Sequence, residues 1–279
     1  MTDSTRMILD LFNQGKKLKE IAIITGKKYK NLSRMRIKYA DLCIPYINSI
    51  PIRGYVVNDT FFDNIDSEIK AYLLGYFIAD GNIDKTKSRF SIGSSIDDEE
   101  VVNLFSQYIS KTVPIKHRFR FRNEIACKEM LEFRWTSNHM KDLFINKYKI
   151  LPRKTYDNNF TFPFELIPSE FHGHFIRGFF DGDGYVGIHE KAISLHIVLT
   201  SLPFLNQIIN IINNNCIDFK PKIEKINGKT IDYYKLYLRS GSGKFGIARL
   251  FYTDVYNLLY KNSNFYLSRK LNKFKEYIH

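Results

Sequence analysis

The chain has 279 residues, enough for one large domain or two to three small ones that each bury a core, which excludes a peptide or a fibrous chain. Forty-two Lys and Arg against 29 Asp and Glu leave a net charge of +13, at a charged fraction of 25% and a hydrophobic fraction of 44%, so this is a folded protein with a one-signed surplus rather than a disordered basic tail. A surplus of this size points to a polyanion, nucleic acid ahead of an anionic membrane surface, because each phosphate neutralised releases condensed counterions.

The first forty residues read as three short helices. Ile8, Leu9, Leu11 and Phe12 define one apolar face, stopped by Gly15; Leu18, Ile21, Ala22 and Ile24 define a second, ended by Gly26; a third begins near Lys28 and carries Leu32, Met35 and Ile37. A helix pair joined by a tight Gly-containing turn, followed by a helix loaded with Lys27, Lys28, Lys30, Arg34, Arg36 and Lys38, resembles a helix-turn-helix DNA reader. Lys28, Lys30 and Arg34 are its candidate DNA contacts; a basic helical cap with no DNA role is the alternative. Domain boundaries follow at 1–43 for this unit and 44–60 for a linker containing Pro45, Pro51 and Gly54.

Beyond the linker the chain repeats itself. The segment LLGYFIADG at 73–81 is echoed 103 residues later by IRGFFDGDG at 176–184, and each half closes with L-x-R-K, at Leu151, Arg153 and Lys154 and again at Leu267, Arg269 and Lys270. The order of elements after each copy gives two α+β subdomains, 61–165 and 166–279, related by a pseudo-twofold axis. Each motif ends an apolar helix, expected at 67–79 and 169–182. Glycine inside a helix costs about 0.5–1 kcal/mol relative to alanine. Here Gly75 with Ala79, and Gly178 with Gly182, form small stripes at i, i+4 that let two helix backbones approach closely. The helix ends then fall together, and with them Asp80 and Asp183, each followed by a glycine that can terminate the helix. An acid in the last turn faces the negative end of the helix dipole. Two such acids side by side call for a divalent cation, since Mg²⁺ takes carboxylates, backbone carbonyls and waters; Ala79 and Gly182 complete that candidate metal set with Asp80 and Asp183.

These paired segments resemble the LAGLIDADG motifs of the homing endonuclease family, over roughly 61–279, with the spacing of a single-chain, two-motif member. The second copy keeps Asp181 as well as Asp183, whereas the first has Ile78 at the earlier acidic position. The resemblance implies an αββαββα fold in each half, together forming a DNA-binding β-saddle. It also implies that Asp80 and Asp183 bind the divalent metal, Mg²⁺ or a substitute such as Mn²⁺, with which both strands of a long asymmetric target are hydrolysed to leave 3′ extensions. Lysines near each scissile phosphate assist in the family, and by position these are Lys154 and Lys270.

The strands point the same way. Along 116–122, Lys116, Arg118, Arg120 and Arg122 alternate with His117, Phe119 and Phe121, which puts four cations on one face toward nucleic acid and the rings on the face packed against helices. The second half has Tyr233, Lys235, Tyr237 and Arg239 alternating with Tyr234, Leu236 and Leu238; Lys220 and Lys222 precede them, and Arg134 does similar duty in the first half. Two rival readings use the same scaffold: a non-cleaving DNA-binding transcription regulator, and an RNA maturase of a group I intron. An intein is disfavoured, because Met1 and Thr2 offer no nucleophile at the start and no Asn ends the chain. Cys43, Cys127 and Cys216 are too far apart for a C-x-x-C knuckle and odd in number, which fits a reducing compartment without a disulfide frame or structural zinc. No apolar run approaches the roughly 20 residues of a membrane span. The expectation is an intracellular monomer, in a bacterial or phage-infected cytoplasm or an organelle matrix, needing double-stranded DNA and neither a membrane nor an obligatory protein partner.

Overall fold

The computed structural model describes residues 2–39, 55–122, 125–189, 192–241 and 245–278. The proposed linker core at 44–54, with Pro45, Pro51 and Gly54, lies outside the described residues. The chain divides into two compact units, 1–56 and 57–279.

The first unit is three helices, α1 (Asp3–Asn13), α2 (Leu18–Thr25) and α3 (Tyr29–Lys38). Thr2 caps α1 by accepting from the Thr5 amide. Both stop glycines adopt the left-handed conformation that side chains resist, Gly15 at φ 76° and Gly26 at φ 65°. Ile8, Leu9, Phe12, Leu18, Ile21 and Leu32 form the core. Ile24, expected on the buried face, is 49% exposed instead; three residues on from Ile21, it is carried by the helical turn past the edge of a very small core. Arg36, counted among the cations of α3, is buried.

The second unit contains the repeat. In its first half come α4 (Glu68–Asp80), β1 (Asn82–Ile83), β2 (Arg89–Ser95), α5 (Glu99–Ile109), β3 (Lys116–Arg122), β4 (Ile125–Thr136) and α6 (Asn138–Asn146). The second half has α7 (His172–Asp183), β5 (Gly184–His189), β6 (Ala192–Leu199), α8 (Leu202–Asn215), β7 (Lys222–Ile226), β8 (Tyr233–Leu238), α9 (Phe245–Leu259) and α10 (Ser268–Ile278). Each half is therefore αββαββα, with α10 added at the end, and its four strands form an antiparallel sheet of the same order, β1-β2-β4-β3 and β5-β6-β8-β7. One face of each sheet is apolar and packs on helices: Phe90, Ile92, Leu131, Phe133 and Trp135 in the first, and Leu195, Ile197, Leu236 and Leu238 in the second. A single hydrophobic core runs through both halves.

The two motif helices, α4 and α7, cross at that shared core. Their contact is backbone on backbone: a Cβ added to Gly75 would stand 2.0 Å from the Phe175 carbonyl oxygen, and one added to Gly178 would stand 2.0 Å from that of Tyr72. The small stripes thus do what their spacing requires. α4 begins at Glu68, within a residue of expectation, while α7 begins at His172 because 169–171 wind as a 3₁₀ turn.

Candidate catalytic centre and nucleic-acid interface

The crossing carries the ends of α4 and α7 to one place. A Cβ on Gly182 would lie 2.3 Å from the Ala79 Cβ and 3.4 Å from Asp80 Oδ2, so the second helix ends against the acid of the first. Asp80 and Asp183 both reach solvent there. The glycines that follow are not left-handed, as a helix-stopping role suggests, but extended, at φ −74° for Gly81 and −82° for Gly184. They are required for space. A Cβ would press to within 2.5 Å of the Phe77 ring and carbonyl at one site and of the Phe180 ring and carbonyl at the other.

Surrounding protein partly desolvates both carboxylates behind their exposed tips and raises both pKa values. For Asp80 a hydrogen bond from Tyr76 and the charges of Lys154 and Lys270 oppose the rise. Asp183 is pushed up to about 7, by burial first and by the neighbouring Asp80 second, against the same two lysines. Two acids weakened in this way, Asp183 in part by Asp80, and exposed at the tip, fit the donor set of a hard cation. Mg²⁺ in particular is held by one or two carboxylates and completes its shell with water. Among the described residues no group of three or more His, Cys, Asp or Glu offers an alternative centre. Of the two carbonyl candidates, that of Ala79 accepts from Lys154 Nζ at 3.1 Å and keeps a second lone pair.

The two lysines hold corresponding positions. Lys154 Nζ donates to the carbonyls of Ala79 and Gly81 (3.1 and 2.6 Å), and Lys270 Nζ donates to those of Phe180, Asp181 and Gly184 (2.6, 2.7 and 2.5 Å). Each ammonium therefore closes the last carbonyls of a motif helix while placing positive charge beside the acids. Burial lowers both pKa values, that of Lys270 to about 8. Lys270 is 2% exposed with all three protons committed, whereas Lys154 is half-buried with two acceptors.

Asp181 does not face the cleft. It is buried and accepts from Tyr72 (3.0 Å) and Tyr260 (2.7 Å) hydroxyls and from the Leu267 amide (2.8 Å), and burial pushes its pKa up to about 6. Sequence reasoning missed this network and two more that join the halves. Arg177, fully buried on α7, donates to Glu68 of α4 and to the carbonyls of Leu259 and Phe265. Arg269 clamps Asp98 through two hydrogen bonds of 2.5 and 2.9 Å, with Ser268 donating to Glu100 alongside. The one available signal was a charged residue inside an apolar helix, Arg177 in IRGFF.

Residues opposite one another in an antiparallel pair share a face. In the first sheet Lys116 stands opposite Glu132, and Glu132 opposite Gly93; Arg134 stands opposite Ser91, and Arg118 opposite Met130. All lie away from the buried Leu131, Phe133 and Trp135. In the second sheet Lys222, Tyr237 and His196 align, as do Glu224, Lys235 and Val198, and Tyr233 lies on the same face. Lys220 and Arg239 flank these strands and are exposed. The candidate DNA contacts of 57–279 whose side chains are described thus gather on two sheet faces; the side chains of Arg120 and Arg122 lie outside the described residues. Lys28, just before α3, and Lys30 and Arg34 on it are exposed. One expectation fails: Phe119 is 57% exposed and His117 pairs with Glu129 at 2.5 Å, so this face of β3 is not packed on helices. β3 is an edge strand of its sheet.

Residues 170–265 match the LAGLIDADG-like domain family, and residues 69–127 match the WhiA LAGLIDADG-like domain family. The chain carries two LAGLIDADG-like domains. Among solved structures, this LAGLIDADG-like pair is similar to the homing endonuclease I-WcaI bound to its DNA recognition sequence, at 17% identity and TM-score 0.47, covering 76% of this chain and 90% of that one. It is also similar to the N-terminal LAGLIDADG domain of WhiA, at 14% identity and TM-score 0.43, covering 77% and 92%. No curated protein matches it by sequence. Among the described residues no helix is long and apolar enough to cross a membrane.

Proposed function

We propose that the chain is a site-specific DNA endonuclease that hydrolyses both strands of a long asymmetric duplex with a divalent cation, Mg²⁺ or a substitute such as Mn²⁺, and leaves 3′ extensions. The observation that carries this reading is the pair Asp80 and Asp183, brought together at adjoining helix ends, each with its acidity weakened, in a molecule whose two sheets each carry a face rich in cations. A cation held there, with the carbonyls of Ala79 and Gly182 as further donors, supplies Lewis-acid activation of the attacked phosphate and of a water.

The chain's own residues do the rest. Lys116, Arg118, Arg134, Lys222 and Lys235 hold phosphates and base edges, and the rigid crossing of α4 and α7 fixes the spacing of the two acids. Lys154 and Lys270 favour the anionic form of those acids next to a polyanion. Lys154, with two carbonyl acceptors for three protons, is the lysine able to reach a phosphate directly; Lys270 acts through the field it adds. One chain supplies both halves, so a monomer suffices. The test uses a duplex spanning the uninterrupted allele of the gene's own insertion point. Asp80→Asn and Asp183→Asn should each abolish Mg²⁺-dependent double-strand cleavage and leave binding intact; an Asp80→Asn protein that still cuts both strands overturns the assignment.

A non-cleaving DNA-binding regulator is the second reading, favoured by the separate three-helix unit with its exposed Lys28, Lys30 and Arg34. It has no use for two acids in an unfavourable place, and absence of nicking by the intact chain with Mg²⁺ or Mn²⁺ would select it.

A further inference from the structure

The two halves share a topology but present different chemistry at corresponding points. The 103-residue offset between the motifs carries Gly93 to His196, and the strand registers carry Glu132 to Tyr237 and Lys116 to Lys222. At the centre of the first sheet stands a carboxylate. Arg134 donates to Glu132 Oε1 at 2.5 Å, and Arg118 pairs with Oε2 at 2.6 Å. One nitrogen of each guanidinium is thereby held at the carboxylate, by a hydrogen bond for Arg134 and by charge for Arg118; Arg134 Nε and Glu132 Oε2 are buried without a hydrogen-bond partner among the described residues. At the centre of the second sheet stand rings. Tyr185 stacks on His196 with centroids 4.4 Å apart and planes 21° apart, and His196 adjoins Tyr237 at 6.0 Å. Lys235 and Lys222 sit 4.7 and 5.4 Å from the Tyr237 centroid. Tyr185 lies along its strand over Gly187, where a Cβ would come within 2.3 Å of its hydroxyl. Burial and Lys235 lower the His196 pKa, which keeps that ring neutral.

We propose that Glu132 is a specificity-determining positioning residue that aims Arg118 and Arg134 at the guanine of a G·C pair in one half-site, while the Tyr185, His196 and Tyr237 row gives the other half-site a preference for A·T pairs by packing on thymine methyl groups. This rests on the duplex-DNA reading above. Two unrestrained arginines on a basic surface would settle on phosphates, which carry no sequence. A carboxylate between them disfavours phosphate at that point. It leaves a planar fork for guanine O6 and N7. The thymine methyl is the apolar group of the major groove, and neutral rings give it a surface that a carboxylate cannot.

The test is selection from a randomised duplex library on the full-length chain carrying Asp183→Asn, followed by affinity measurements on single-pair variants. The expected consensus has two blocks of unlike composition, one with a fixed G·C pair whose replacement weakens binding by about 5- to 150-fold, the other A·T-biased. Glu132→Ala should abolish discrimination at that pair while raising affinity for unrelated duplex, an outcome that a misfolded sheet does not produce. Arg118→Lys keeps the charge and the salt dependence but loses the fork, so it should lose the same discrimination. Blocks of equal composition overturn the proposal, as does a Glu132→Ala protein with every positional preference intact; in both cases the duplex-DNA reading survives. If no duplex is enriched and no salt-sensitive binding is seen, the duplex-DNA reading itself fails and takes this proposal with it.

Discussion

Asp181 and Ile78 hold corresponding places in the two motifs, 103 residues apart, and meet opposite surroundings. Ile78 is buried among apolar groups, whereas Asp181 is ringed by three donors, Tyr72, Tyr260 and the Leu267 amide. Asp181→Asn would turn an amide N–H₂ toward at least one of those donors, so it should cost about 1–3 kcal/mol, the usual result of leaving a buried polar group unpaired. Urea denaturation with an unchanged m-value is the readout. Titration has a definite sign here as well. Asp181 at about 6 and Asp183 at about 7 both lie above their unfolded value of 3.8. Between those values the folded chain binds protons that the unfolded chain does not. The share of these two acids should therefore make the metal-free protein lose stability as pH rises from about 4 to about 7. A divalent cation offsets the Asp183 share only where that acid has lost its proton, so the rise in Tm on adding Mg²⁺ should be larger at pH 8 than at pH 6. Equal shifts at the two pH values would remove Asp183 from the metal set. The placement of Asp80 and Asp183 at adjoining helix ends was legible from spacing, because an acid at a helix end is visible in sequence. That of Asp181 was not, because its three donors come from positions far along the chain.

At the scale of elements, the i, i+4 repeat of small residues was enough to foresee that α4 and α7 cross in backbone contact. It could not show what locks them. Arg177 to Glu68 and Arg269 to Asp98 join residues more than 100 positions apart, and pairing at that distance is decided by tertiary packing rather than by local pattern. Strand alternation was equally partial: it sorted Lys116 and Arg118 onto the outer face correctly, but it implied cover for Phe119 that an edge strand does not receive. The crossing predicts a contrast between two glycines. Gly178→Ala forces a methyl into the Tyr72 carbonyl at 2.0 Å, with backbone atoms on both sides of the clash. Overpacking of this kind costs about 1–3 kcal/mol or more, because helices must separate to relieve it. Gly93→Ala, whose Cβ would meet its nearest neighbour, the Leu131 carbonyl oxygen, at 3.6 Å, should leave the urea midpoint nearly unchanged. If both variants unfold at the wild-type midpoint, the helices do not meet through their backbones.

For the whole molecule, the charge surplus is unevenly spread. Eleven of the 42 Lys and Arg and four of the 29 Asp and Glu fall in residues 1–56, so the smaller unit holds +7 of the +13. The two sheet faces, for their part, hold carboxylates among their cations, Glu132 in the first and Glu224 in the second. The chain as a whole should show steep salt dependence, losing about 10³–10⁵ in duplex affinity between 50 and 200 mM salt if six to ten phosphates are neutralised. How that slope divides decides what the three-helix unit does. Each phosphate contact contributes about 0.9 to the slope of log affinity against log salt. If Lys28, Lys30 and Arg34 meet phosphates, removal of residues 1–56 should lower the slope by about 3 and shorten the footprint on the target. The same deletion should leave cleavage at the centre of the site in place, since both acids and both lysines belong to the larger unit. A truncated chain with the slope and footprint of the full one would mean that the basic helix serves some other partner, and that the sheets alone carry the electrostatics of binding.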